Sequence, residues 1–180
     1  MRIHQTSSNQ PSNAYFPTTS WELGTRSQTI LELNATTYSV FNTDQSLPPP
    51  ASVPSSLTAN LAPFFSIAKT TVQNGGRGTG PRPLTPDGSA ADPASIGVSV
   101  LIANWTGQDK GQVDYDAAAR SQVEYLFTAV TKTSDGALSH RVDQLELWYV
   151  VPILELVYAF DMIAGVILCI WSRLSSRTME

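Results

Sequence analysis

With 180 residues, 11 of them Lys or Arg and 15 Asp or Glu, the chain fits one ordinary domain or part of a larger one and carries a net charge of −4. That balance offers no electrostatic basis for binding nucleic acid or an anionic membrane surface. One cysteine, Cys169, and two histidines, His4 and His140, exclude internal disulfides, thiol redox motifs, zinc fingers and histidine-rich metal sites.

Charged residues make up only 14% of the chain, against roughly a quarter in typical soluble domains, and Ser and Thr fill the gap. A low-charge, hydroxyl-rich composition leans towards an extracellular setting. Residues 1–16 are polar and read as a disordered N-terminus. No apolar stretch of about 7–15 residues precedes Trp21, so no signal peptide is seen. Two sequons, Asn34-Ala35-Thr36 and Asn104-Trp105-Thr106, pull the other way and make Asn34 and Asn104 candidate glycosylation sites.

A domain is expected over 17–148. Thr19 and Glu22 have the spacing of a capping box and predict a helix over 20–33, with Trp21, Leu23, Ile30, Leu31 and Leu33 as its apolar residues. Pro48-Pro49-Pro50 must interrupt any helix, because proline lacks the amide hydrogen and clashes with the preceding turn. A second helical stretch over 55–71 carries Leu57, Leu61, Phe64, Phe65 and Ile67, and Pro63 is expected to kink or split it. The glycine- and proline-rich run 74–83 reads as a loop. Gly76-Arg77-Gly78-Thr79-Gly80 within it is no phosphate cradle, since Pro81 and Pro83 follow where a helix N-terminus is needed.

Asp92-Pro93 predicts a helix start, with an N-cap carboxylate and proline at the first helical position. Ile96, Val98, Val100, Leu101 and Ile102 then occupy most of the circumference up to Asn104, so this helix is expected to be buried. The next helix, over 114–130, has an apolar stripe of Tyr115, Ala118, Ala119, Val123, Leu126, Phe127 and Val130, with Arg120, Gln122 and Glu124 off it. Asp109, Asp114 and Asp116 do not have calcium-loop spacing and fit the approach to this helix and its first turn. No convincing period-2 strand occurs, so the fold class is all-α, built of helix hairpins with long loops.

Residues 149–171 break the pattern: nearly all are apolar, and Arg173 and Arg177 lie in the polar tail 172–180. Twelve strongly apolar side chains favour bilayer insertion by about 5 kcal/mol, and Glu155 and Asp161 return about the same amount. The segment is either a buried hydrophobic tail or a marginal transmembrane helix. In the second case the chain is a small helical module anchored to a membrane by a single span.

The stretch Ala91-Asp92-Pro93-Ala94-Ser95-Ile96-Gly97, the helix over 114–130, and Thr133-Ser134-Asp135-Gly136 leading to Ser139-His140 and Leu147-Trp148 carry a likeness. Together they resemble the unsaturated glucuronyl and rhamnogalacturonyl hydrolases of glycoside hydrolase families 88 and 105, the six-hairpin glycosidases, in their secreted fungal form. The resemblance covers about three quarters of the chain and less than half of the family's domain. It implies an incomplete (α/α)6 toroid holding only the first helix hairpins, with a cleft at the N-terminal ends of the inner helices. It also implies an oligosaccharide substrate bearing an unsaturated uronic acid, whose C4–C5 double bond is hydrated by an aspartate acting as acid and base, with no metal and no cofactor. On this likeness Asp92 matches the first catalytic-site aspartate, and His140 and Trp148 match substrate-binding positions. Where the family places its general acid, one residue after the matching tryptophan and its neighbour, this chain has Val150. Valine cannot exchange a proton, so the implied hydrolase is expected to be inactive. The likeness stops abruptly after Trp148, as an unspliced intron would make it do.

Overall fold

The computed structural model describes residues 19–39, 42, 49–75, 80–132, 138–139 and 156–157. Among them are four α-helices: α1 (Ser20–Asn34), α2 (Ser55–Asn74), α3 (Ala91–Trp105) and α4 (Tyr115–Thr128). A single 3-10 turn (Thr36–Tyr38) follows α1, and an isolated β-bridge joins Lys132 and Leu138. The described residues are mostly helical and form no strand, which fits the all-α class.

Helix α1 begins where the Thr19–Glu22 capping box forms, with Thr19 Oγ1 donating to the Glu22 carboxylate at 2.5 Å. Helix α2 is one continuous helix through Pro63, neither split there nor stopped. The carbonyl that loses its bond belongs to Ala59, and both residues lie on the exposed side, where water can take the amide's place. The start of α3 also differs from expectation: Ala90 is the N-cap, and Asp92 lies inside the first turn. The capping side chain is Ser89, whose Oγ accepts from the Asp92 amide at 3.1 Å. A hydroxyl three residues before Asp92 reaches that amide without strain, so the helix starts earlier than the carboxylate.

Helix α3 occupies the centre and touches α1, α2 and α4. It is buried nearly all round, with Ile96, Val98, Val100, Leu101 and Ile102 each at most 3% exposed. Each such side chain contributes about 1.5–3 kcal/mol on leaving water. Helix α1 lies beside α3 in the same direction: Ser20 Oγ donates to Asp87, just before α3, and one turn further along Gly24 meets Ser95. A Cβ on Gly24 would stand 1.7 Å from Ser95 Oγ, so only glycine allows this approach. Helix α2 returns antiparallel, its last turns lying against the N-terminal end of α1. The connection from α1 to α2 is held down at the opposite end: Tyr38 donates to the Ser52 carbonyl, and Trp105 Nε1 to that of Pro49 at 2.6 Å.

Helix α4 buries Tyr115, Ala119, Gln122 and Leu126. The expected stripe is therefore off-centre: Gln122 is completely buried, while Phe127 is 49% exposed. Phe127 lies about 120° around the helix from Tyr115, whereas Gln122 lies within about 20° of it. Gln122 Oε1 accepts from the Leu84 N–H at 2.7 Å, which offsets part of the cost of burying the amide, while Nε2 is buried with no hydrogen-bond partner among the described residues.

Of the hydrophobic segment 149–171, only Leu156 and Val157 fall among the described residues. Leu156 is fully buried and belongs to the same core, its side chain over Gly97 of α3. Among the described residues no helix is long and apolar enough to cross a membrane.

Candidate functional site

The polar groups gather where α1 and α3 begin. Asp87 accepts from Ser20 Oγ, from Thr85 Oγ1 at 3.2 Å and from the Ser89 amide at 3.1 Å. Ser89 in turn receives the Asp92 amide, and Ser95 Oγ donates to the Asp92 carbonyl at 2.6 Å. The main chain of Asp92 is thus clamped at both its N–H and its C=O. Its half-buried carboxylate has no hydrogen-bonding partner among the described residues. Tyr125 of α4 faces the same end, its hydroxyl pushed up by burial and then by the charge of Asp87.

A cleft of about 660 Å3 opens beside this cluster, between the start of α1 and the end of α2. Thr19, Leu23, Arg26, Thr71, Asn74 and Asp87 line it. Hydroxyls, an amide, a guanidinium and a carboxylate are set there among the apolar side chains of Leu23, Ile67, Leu84 and Pro86, a mostly apolar cleft with a few hydrogen-bonding groups. Two smaller clefts lie along α4 and at the turn after α3, and Asp92 lines none of the three.

Neither family models, curated proteins nor solved structures match this chain. Function has to be drawn from the residues themselves.

His140, Trp148 and Val150 lie outside the described residues. Asn34 and Asn104 are exposed, at or next to the last residues of α1 and α3. Asp114 caps α4, accepting from the Ala117 amide at 3.0 Å, and Asp116 sits in its first turn. Among the described residues no three metal-binding side chains converge.

Sequence reasoning missed a second charged cluster. Asp109, in a left-handed conformation with φ 45°, accepts from Lys69 Nζ at 2.6 Å and from the Tyr115 hydroxyl at 2.9 Å. Lys69 is forty positions away in the chain, so no local spacing reveals the pair; the one available signal is an Asp at a turn that must go left-handed. The bonds from Lys69 and Tyr115 hold the Asp109 carboxyl below its ordinary 3.8, and burial together with Asp109 raises the Tyr115 hydroxyl above its ordinary 10.0.

A lowered carboxyl pKa stabilises the fold fully above the unfolded value and loses that effect as pH falls through the folded one. The Asp109 contribution is therefore complete above pH 3.8 and lost below it. The Tyr115 contribution is complete below pH 10.0 and lost above it. Asp109→Asn is expected to cost about 1–2 kcal/mol at neutral pH, discounted for the partial exposure of Lys69. Urea denaturation checks this, with the two proteins converging as pH drops below 3.8. Equal stability at neutral pH would show the cluster to be idle.

Proposed function

We propose that the chain is the N-terminal portion of a six-hairpin glycosidase-type toroid of the unsaturated uronyl hydrolase kind, retaining weak recognition of uronides without turnover. The helix arrangement supports this. Successive helix hairpins place alternate helices in the same direction, side by side, with the return helices outside them. Helices α1 and α3 have that relation, with α2 packed on both and α4 on α3. The carrying observation is Asp92, in the first turn of the central helix, clamped by its backbone at the end where α1 also begins.

Hydrating an enol-ether double bond needs a carboxyl group that protonates one carbon and assists water onto the other. By resemblance that group belongs at position 150, where valine has no titratable proton. Asp92 is left without its partner. Burial of Leu156 in the domain core favours this reading over a bilayer span through 149–171, since one side chain cannot be in both environments.

The test uses the full chain and an unsaturated glucuronyl disaccharide. The ultraviolet absorbance of the double bond is expected to stay constant, while ligand-observed saturation-transfer NMR detects contact that Trp148→Ala and His140→Ala remove. Decay of the absorbance, or contact indifferent to both substitutions, would falsify the proposal.

A further inference from the structure

We infer that Asn34 and Asn104 form a paired N-glycosylation surface at the end of the helical domain remote from Asp92. This goes beyond the proposed function and does not depend on it. Two independent observations meet here. Each asparagine begins an Asn-x-Thr sequon, and each is exposed while the middle residue of its sequon turns inwards. Ala35 is 4% exposed, and Trp105 is half-buried with its indole N–H held by the Pro49 carbonyl. Anchoring the middle residue fixes the neighbouring asparagine outward in both cases.

The placement follows from helix geometry. Helices α1 and α3 run in the same direction with Gly24 against Ser95. At about 1.5 Å per residue, Asn34 and Asn104 stand about 14–15 Å beyond that contact, at one end. Asp92 lies on the other side of it, about 18 Å from Asn104 along the helix axis. Asn34 Nδ2 donates to the Ile30 carbonyl at 2.8 Å. A glycosylated amide keeps one N–H, so a donor remains on that nitrogen after the modification. Glycans on this end leave the cleft beside α1 and the carboxylate of Asp92 uncovered.

The modification is a group transfer. The asparagine amide nitrogen forms a bond to C1 of an oligosaccharide carried on a polyprenyl pyrophosphate. The C1–O bond to the pyrophosphate breaks, the lipid pyrophosphate leaves with the electron pair, and the amide proton passes to a base of the transferase.

The full chain is translated behind a cleavable leader in the presence of microsomes, with protease protection to establish entry. The protected product is expected to run two steps above its unglycosylated form and to collapse to it with an amide-cleaving glycosidase. Asn34→Gln and Asn104→Gln should each remove one step, and the double variant both. A protected chain with fewer than two glycans overturns the inference. So does a chain that cannot be brought into the lumen behind the leader.

Discussion

Leu156→Ala is expected to destabilise the domain by about 3 kcal/mol, within the range for truncating a fully buried leucine. The side chain is completely out of solvent and sits on Gly97, the position on α3 with no side chain of its own. A Cβ added at Gly97 would lie 2.5 Å from Leu156 Cδ1, so leucine fills the space that glycine leaves. The pair should therefore couple with a predictable sign. In the wild-type background Gly97→Ala gains up to about 1 kcal/mol of helix propensity and pushes against a flexible leucine tip, so its net effect is small or unfavourable. In the Leu156→Ala background the same methyl enters an empty space and should restore about 1 kcal/mol. A double-mutant cycle from urea midpoints measures this. If Leu156→Ala leaves the midpoint unchanged, Leu156 does not pack in the core.

Gly24→Val is expected to cost about 3 kcal/mol or more, at the upper end of overpacking effects. Ser95 Cβ would lie 2.5 Å from the first added carbon and cannot swing away as a side-chain tip can. Helices α1 and α3 must separate, which loosens the Ser20–Asp87 bond at the same end. Ser95→Gly removes both colliding atoms and leaves the Ser95 backbone carbon at 3.3 Å, a tight but tolerable contact. The pair Gly24→Ala with Ser95→Gly should thus be more stable than Gly24→Ala alone. Recovery stays incomplete, because glycine weakens α3 by about 1 kcal/mol and the Ser95 bond to the Asp92 carbonyl is lost. Additive losses in the pair would show that the two helices do not meet at these residues.

What could be read in advance follows from how local each signal is. The start of α1 was legible because both halves of its capping box lie within one turn. The burial of α3 was legible because an apolar circumference admits no exposed face. The start of α3 lies two residues before the expected one because two side chains, Ser89 and Asp92, could each cap, and only the conformation of Ala90 decides between them. Hydropathy put Gln122 outside, since it cannot register that the Leu84 amide, far back in the chain, awaits an acceptor. For the same reason Phe127 was drawn inward, although the true stripe is centred about 120° from it. The roles of Asp87 and of Asp109, which reads in sequence only as a loop carboxylate before α4, were not legible because Ser20 and Lys69, which bind them, come from other elements. The toroid, the uronide and the roles of His140 and Trp148 remain proposals built on resemblance.

The order of contacts along the chain has a consequence for biosynthesis. Helix α2 packs on α1, α3 on both, and α4 on α3, so each new helix meets partners that precede it. A nascent chain leaving the ribosome can therefore assemble vectorially, burying each apolar face soon after it emerges and keeping loop-closure costs low. Leu156 comes last in that sequence. Until it has been translated, the bare backbone at Gly97 stays open, and a stalled or shortened product is the species most exposed to quality-control proteases.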